Sequence, residues 1–249
     1  GHGQVDCPNQ LSTGAIIVDV DGDHDQDLLV GGIASGVRLF LNDGAGQFRE
    51  SVDSGLDRNG SPTSMAMADL DRDGDLDLYC AHYIDEMYTA DPTTSYGLVR
   101  RGGKLEVNRV NGQSTEEPRL RNRFTVSSTG KLRELPEMDQ LYLNDGKGHF
   151  TSISLQKGTF LSQQGQAVQP PRDWSLAVSF RDFNHDGWPD LYVCSDNATP
   201  DRLWINNQLG GFQLADRFAI RPPSRSSMGI DVADINRDGY DDFLVVDMF

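Results

Sequence analysis

The stretch DLDRDGDLDLYC, Asp69–Cys80, places an aspartate at every second position from 69 to 77 and then becomes apolar. Carboxylates this close repel one another, so the arrangement is costly unless a cation or hydrogen bonds neutralise it. Related stretches begin at Asp19, Asp182 and Asp234, and each is also flanked by short apolar runs. The chain therefore contains a repeated unit in which an acidic loop joins two strands.

A second motif follows the acidic loop in three of the four units. It is found in RLFLNDGAGQF (Arg38–Phe48), QLYLNDGKGHF (Gln140–Phe150) and RLWINNQLGGF (Arg202–Phe212). Asn-Asp-Gly between apolar runs indicates a hairpin, because Asn and Gly tolerate the positive φ that the turn requires. Each unit thus contains four short strands in about 50 residues, which is typical of a β-propeller blade.

The predicted fold is all-β, a β-propeller of four-stranded blades with about three and a half blades in this chain. We expect an N-terminal extension or the end of a preceding blade at 1–13, and blades at 14–52, 62–155, 174–218 and 227–249, the last incomplete. Blade two carries an insertion at 84–138, since 67 residues separate Asp77 from Asn144 against 15 between the matching residues of blade one. A partial ring has open strand edges, so we expect further blades of the same protein or another subunit to complete it.

Oxygen-bearing side chains at positions 1, 3, 5 and 9 of each acidic loop predict calcium sites, with position 7 offering its backbone carbonyl. Calcium accepts roughly six to eight oxygen ligands in flexible geometry, whereas magnesium requires a stricter octahedron. The predicted metal ligands, for up to four Ca²⁺ ions, are Asp19, Asp21, Asp23, Asp25, Asp27, Asp69, Asp71, Asp73, Asp75, Asp77, Asp182, Asn184, Asp186, Trp188, Asp190, Asp234, Asn236, Asp238, Tyr240 and Asp242. An EF-hand begins similarly but needs Glu at position 12, where all four loops are apolar.

Position 6 of the loops is expected to need a positive φ, which glycine adopts freely. Gly74, Gly187 and Gly239 stand there in loops two to four, but loop one has His24. We therefore expect the site in loop one to be strained or weaker than the other three.

Charge and composition narrow the classes of partner and chemistry. A formal net charge of −16 fits cation binding and opposes nucleic acid or anionic lipid as partners. No apolar run approaches the roughly 18 residues of a membrane span. Cys7, Cys80 and Cys194 lack the spacing of a zinc or haem motif, and we expect the latter two to be buried strand residues.

The four acidic repeats, from STGAIIVDVDGDHDQDLLV to SSMGIDVADINRDGYDDFLVVDM, resemble the FG-GAP/VCBS repeat, the calcium-loop blade of integrin α-subunit propellers. The likeness is closer to large secreted bacterial VCBS-repeat proteins of the UnbV and cartilage acidic protein group, and it covers nearly the whole chain outside 84–138. It implies a seven-bladed or similar propeller, structural calcium, and an extracytoplasmic location (secreted, periplasmic or cell-surface). It implies no catalytic residue.

The insertion is the leading candidate for a binding surface. In a propeller the acidic loops and the insertion emerge from opposite faces, and binding residues concentrate on elaborated loops held by a rigid scaffold. The insertion holds nine Lys and Arg in an otherwise acidic chain, so we expect a protein or glycan partner on that face. The alternative is a loop that only packs on neighbouring blades.

The sequence contains no G-x-S-x-G, P-loop or H-E-x-x-H motif, and we predict no catalytic residue. We interpret the chain as a calcium-stabilised extracellular propeller segment that serves recognition, cell adhesion or assembly. Two alternatives stay open at this point: a lectin-like carbohydrate-binding propeller, and a domain of a calcium-dependent hydrolase or lyase.

Overall fold

A computed structural model of the chain describes residues 5–84, 87–117, 120–153, 158–168, 172–196, 199–216, 219, 224 and 226–248. Arg119 of the insertion and the predicted blade ends at 154–155, 217–218 and 249 lie outside them. The described part consists of twenty strands and one short 3₁₀ helix, Tyr88–Ala90, with no α-helix. The all-β prediction is confirmed, and no helix in the described ranges is long and apolar enough to cross a membrane.

Blade one is an antiparallel sheet of four strands in chain order, β1 (Leu11–Val18), β2 (Asp27–Ile33), β3 (Gly36–Asn42) and β4 (Phe48–Ser51). The first strand starts earlier than predicted, because Leu11 already pairs with Ile33. Residues 11–13 therefore belong to blade one, and the predicted extension at 1–13 was too long by these three residues.

Blade two has the same strand order around the insertion, with β5 (Pro62–Ala68), β6 (Asp77–His82), β12 (Gln140–Asn144) and β13 (Phe150–Ser152). The insertion leaves β6 at His82 and returns at Gln140, at the end of the sheet away from the acidic loop. It forms β7 (Tyr96–Arg101), β8 (Lys104–Val110), β9 (Gln113–Ser114), β10 (Phe124–Val126) and β11 (Leu132–Glu134). Tyr88, Val110 and Leu120 form its own small apolar core.

Blades three and four continue the pattern. Blade three consists of β15 (Trp174–Arg181), β16 (Asp190–Asp196), β17 (Arg202–Asn206) and β18 (Phe212–Leu214), with β14 (Phe160–Leu161) added in parallel beside β18. Blade four has two described strands, β19 (Ser227–Ala233) and β20 (Asp242–Asp247). The β14 strand was not predicted, since two residues carry no periodic signal.

The core lies between successive blades, because the second strand of each of blades one to three is largely buried on both faces. In β6, Leu78 and Cys80 pack toward blade one, whereas Tyr79 and Ala81 pack toward blade three. This alternation follows from the two-residue period of a strand. Cys80 and Cys194 are free and fully buried, as predicted.

Hydrogen bonds to the buried side chain of Asp139 join blades two and three. Asp139 accepts hydrogen bonds from the Tyr79 hydroxyl and the His82 N–H, each at 2.7 Å. It also accepts one at 2.8 Å from the hydroxyl of Ser175 in blade three. Burial raises the pKa of Asp139 to about 7. The same contact recurs between blades three and four, where Asp201 accepts from Tyr192, Ser195 and Ser227 at 2.7 to 2.9 Å.

The junction between blades one and two has no carboxylate at the position that matches Asp139. Counting from the acidic loop and from the hairpin motif, the residues that match Tyr79, Asp139 and Ser175 are apolar. They are Leu29, Val37 and Pro62. Leu29 and Val37 pack in the shared apolar cluster, and Asp57 of the link between the blades accepts a hydrogen bond from Gln140 of β12 at 3.0 Å.

Candidate metal-binding loops

The four acidic loops are loop one (Asp19–Asp27), loop two (Asp69–Asp77), loop three (Asp182–Asp190) and loop four (Asp234–Asp242). Position 6 has a positive φ in all four, and His24 adopts φ 73° where the others have glycine. Position 4 also has a positive φ, at Gly22, Arg72, His185 and Arg237. The strain predicted for loop one is present, but loop one also has its glycine at position 4, where the other loops have a bulkier residue.

Position 9 closes each loop onto the neighbouring hairpin. Asp27, Asp77 and Asp190 are at most 1 % exposed. The oxygens of Asp77 accept the N–H groups of Leu70 at 2.9 Å and of Asn144, the last residue of β12, at 3.0 Å. In the same way, Asp27 accepts the N–H groups of Val20 and Asn42. Asp190 accepts those of Phe183 and Asn206. In loop four, Asp242 is half-buried and accepts the N–H of Ile235 at 3.2 Å.

Burial raises the pKa of Asp77 and Asp190 to about 6 and also raises the pKa of Asp27. Neighbouring loop carboxylates raise these pKa values further, while the backbone N–H groups lower them. Position 9 therefore holds a negative charge in a buried setting that favours a nearby cation.

Position 1 leaves an unsatisfied oxygen in loop two. One oxygen of Asp19, Asp69, Asp182 and Asp234 accepts the N–H of the position 6 residue at 2.7 to 3.2 Å. The other oxygen accepts a second loop N–H in loops one, three and four. In loop two, Asp69 Oδ1 is buried and has no hydrogen-bond partner. A buried carboxylate oxygen without a donor fits a site for a cation.

Positions 1, 3 and 9 converge in loops one and two. Oxygens of Asp19, Asp21 and Asp27 lie within 4.8 Å of one another, and so do those of Asp69, Asp71 and Asp77. Burial, together with nearby carboxylates, raises the pKa of Asp21 and Asp71. Three of the four predicted side-chain ligands are therefore gathered in each of these loops.

Position 5 lies outside these groups of three. Asp23 Oδ1 accepts the N–H of Asp25 at 2.9 Å, and Asp73 Oδ1 accepts that of Asp75 at 3.0 Å. Asp186 and Asp238 make the same contact with the N–H of Trp188 and Tyr240 at position 7, both at 2.9 Å. One carboxylate oxygen of the aspartate at position 5 thus orients the backbone at position 7 of the loop. The second carboxylate oxygen of this aspartate does not take part in that contact.

The side chains at position 7 of loops one and two rest on the hairpin turn. A Cβ placed on Gly44 would come 2.4 Å from Asp25 Oδ2, and one on Gly146 would come 2.4 Å from both oxygens of Asp75. Only glycine allows this approach. The ligand predicted at position 7 is therefore the backbone carbonyl, and the side chain packs on the turn.

Loops three and four replace one carboxylate by an amide. The side-chain NH₂ of Asn184 donates to Asp186 at 3.0 Å, and that of Asn236 donates to Asp238 at 3.0 Å. Burial acts to raise the pKa of Asp186, but hydrogen bonds from Trp188 and Asn184 outweigh it and the pKa is lowered. Neither loop forms a three-carboxylate group within the described ranges.

Neighbouring loops also touch, through contacts that the sequence analysis missed. Arg72, at position 4 of loop two, lies 4.3 Å over the ring of Trp188, at position 7 of loop three, and donates to the Gly187 carbonyl. His185 and Tyr240 repeat this position 4 to position 7 contact between loops three and four at 5.0 Å. Loop one has Gly22 at position 4, which offers no side chain for it. An aromatic residue at position 7 is the signal that could have revealed the pattern.

A family described as FG-GAP-like repeat matches residues 19–80, 132–193 and 182–245, which include all four acidic loops. No curated protein matches this sequence.

Among solved structures, one similar chain comes from a crystal structure of BBS1N in complex with ARL6DN, soaked with lead, with 15% identity and a TM-score of 0.35. Another is an Agrocybe aegerita lectin described as recognising non-reducing terminal N-acetylglucosamine, with 17% identity and a TM-score of 0.29. The matches cover 97% and 94% of this chain but only 64% and 60% of those chains.

Proposed function

The chain belongs to the FG-GAP-like repeat family, and we propose that it is a calcium-stabilised, extracytoplasmic β-propeller segment that serves recognition, adhesion or assembly. The observation that carries the calcium assignment is loop two. There Asp69 Oδ1 is buried without a donor, and a carboxylate oxygen of Asp69 lies within 4.8 Å of oxygens of Asp71 and Asp77. A divalent ion at this point satisfies the unpaired oxygen and removes the repulsion among the three carboxylates.

In this proposal each loop binds one Ca²⁺ through the side chains at positions 1, 3, 5 and 9 and the carbonyl of position 7. All of these ligands are oxygens, which suits calcium, and the loop supplies them without the strict octahedron that magnesium requires. Four ions would add eight positive charges and reduce the net charge from −16 to −8. Because position 9 also bonds the strand-end Asn of the hairpin, ion binding stabilises the whole blade.

We further propose that other blades or another subunit cover the outer faces of blades one and four. Leu11 and Ile17 of β1 and Leu244 and Val246 of β20 are large apolar side chains that are at least 50% exposed. Leu244 and Val246 lie two residues apart in β20 and share one sheet face, and exposed apolar side chains grouped in this way are typical of contact surfaces. Recognition is assigned to the opposite end of the blades from the acidic loops, where the insertion lies.

Thermal unfolding with and without calcium tests this proposal. An ion that binds only the folded state raises the melting temperature, so EDTA should lower it by several degrees and calcium should restore it. Magnesium at the same concentration should restore less of the lost stability. An identical melting temperature in EDTA and in calcium would contradict the proposed role.

A further inference from the structure

A cavity of about 810 Å³ lies where the insertion meets blades one and two. Its walls come from the link between those blades around Asn59, the end of β6 at His82, the insertion at Arg121, and Arg172 before β15. All of these are connections at the end of the blades opposite the acidic loops. Pockets for small ligands commonly measure roughly 300–1,000 Å³, so the size is suitable.

Two arginines lining the cavity have no carboxylate partner in the described part of the chain. Arg172 is half-buried, and its one hydrogen bond goes to the Pro136 carbonyl at 3.3 Å. Burial lowers its pKa. Arg121 donates only to the Glu116 carbonyl, at 2.8 and 3.3 Å. Asp57 and Glu137 also line the cavity, but Asp57 accepts from Asn59 and Gln140, and Glu137 accepts from Ser61. Two guanidiniums without a described carboxylate partner in the same cavity therefore indicate an anionic ligand.

His82 adds a hydrogen-bond acceptor to the same cavity. Its side chain is 1% exposed, and its Nδ1 donates to the Cys80 carbonyl at 3.0 Å. Burial lowers the pKa of His82 to about 4, so the ring is neutral near pH 7 and Nε2 is an acceptor. No described residue donates to this nitrogen. A Cβ on Gly60 would lie 2.7 Å from it, so the glycine keeps the space beside Nε2 open.

We propose that this cavity binds an acidic sugar residue, a hexuronate within a glycan. The sugar carboxylate pairs with Arg172 and Arg121, and a ring hydroxyl donates to His82 Nε2. The inference rests on the proposed recognition role and names the ligand class of the face that carries the insertion.

His82 Nε2 requires a ligand that carries a hydrogen-bond donor as well as a negative charge, and a sugar acid meets this requirement. A sulfate or an isolated carboxylate would satisfy the arginines but offers no hydroxyl or N–H to His82. The proton of a hydrogen phosphate moves among its oxygens, so phosphate offers no hydroxyl at a fixed position. A hexuronate carries its carboxylate and its hydroxyls on one rigid ring. Asn59 and Gln140 also line the cavity, and their side-chain amides donate to Asp57.

The strand pairing opposes an extended peptide as the ligand. His82 lies in β6, which pairs with β5 and β12, and Gln140 lies in β12, which pairs with β6 and β13. Neither strand has a free edge for an added strand, which is the usual way an extended peptide binds to a sheet. We therefore expect the ligand to be bound by side chains of the cavity and not by backbone pairing with a strand.

Calorimetric titration of the calcium-loaded protein with trigalacturonate tests the proposal. Galactotriose serves as the neutral probe, and hexaglutamate as the acidic peptide probe. Arg172→Gln removes the half-buried charge, and Arg100→Gln removes an exposed charge of the same insertion outside the cavity. We expect trigalacturonate to bind wild type and Arg100→Gln within about twofold of each other, and Arg172→Gln to bind about tenfold or more weakly.

Several results would overturn the assignment. They are no trigalacturonate binding to wild type, equal affinity for galactotriose, an equal loss in Arg100→Gln, or hexaglutamate binding that depends on Arg172. A melting curve of each variant in calcium and in EDTA separates this inference from the proposed function. A melting temperature that depends on calcium, without sugar binding, contradicts the cavity assignment alone. Sugar binding with a melting temperature that does not depend on calcium contradicts the calcium assignment alone.

Discussion

The first and second blade junctions neutralise negative charge in different ways. Between blades one and two, the acidic loops both gather three carboxylates, and the residues beneath them are apolar. Between blades two and three, Arg72 stacks on Trp188, Asn184 donates to a loop carboxylate, and Asp139 links three donors across the junction. The comparison teaches that Arg72 and Asn184 compensate part of the loop charge at the second junction, whereas our proposal assigns that role at the first junction to bound cations.

The strongest test of this difference is Asp77→Ala in loop two. It leaves the N–H groups of Leu70 and Asn144 without an acceptor and removes a proposed ligand, so unfolding free energy should fall by about 3 kcal/mol or more. Asp242→Ala in loop four is the matched control, with one N–H contact, and should cost about 1 kcal/mol. Urea denaturation in calcium measures both, and equal losses would contradict the ranking.

A second test uses pH at the junction between blades two and three. The pKa of Asp139 is about 7 in the folded protein against an ordinary 3.8, so protonated Asp139 is favoured by folding. Its contribution is fully present below about pH 4 and is lost as pH rises through 7, on the order of 4 kcal/mol. Asp139→Asn should therefore flatten the decline in stability between these pH values.

The measurement is the unfolding free energy of wild type and Asp139→Asn across this range, in saturating calcium. The blade one to two junction, with Val37 at the matching position, makes no such contribution. Parallel pH profiles for the two proteins would show that Asp139 is not the titrating group.

A smaller effect is expected from exchanging the position 3 residues of loops two and three. Asp71→Asn should allow an amide to donate to Asp73, as Asn184 does to Asp186, and stabilise the calcium-free protein by about 1 kcal/mol. The same change removes a ligand charge and should weaken calcium binding to loop two. Asn184→Asp should act in the opposite direction on both quantities. Melting in EDTA and a calcium titration measure them, and shifts of the same sign in both variants would refute the comparison.

The blades were predictable from sequence because their signals are local. Alternating apolar residues and the Asn-Asp-Gly turn determine strands within one unit, and Phe48, Phe150 and Phe212 pair as the hairpins require. The positive φ at position 4 was missed, since three of the four loops have a bulky residue there and only Gly22 signals it.

The other features that the sequence did not predict depend on contacts between segments that are distant in the chain. The edge strand β14 is two residues long and exists only because β18 offers a free edge. The cavity around His82 forms because the insertion packs beside Gly60. Gly60 and His82 are more than twenty residues apart in the chain. The Asp139 network needs Tyr79 and Ser175, which lie 60 and 36 residues away.

The central claim is that divalent ions occupy the acidic loops. Anomalous difference density from crystals grown in calcium tests it most directly. The account predicts a peak in each loop, with the position 1, 3 and 9 oxygens about 2.3–2.6 Å away, and the clearest peak beside Asp69 Oδ1 in loop two. Loops one and two without density at saturating calcium, with their carboxylates turned toward solvent, would contradict it.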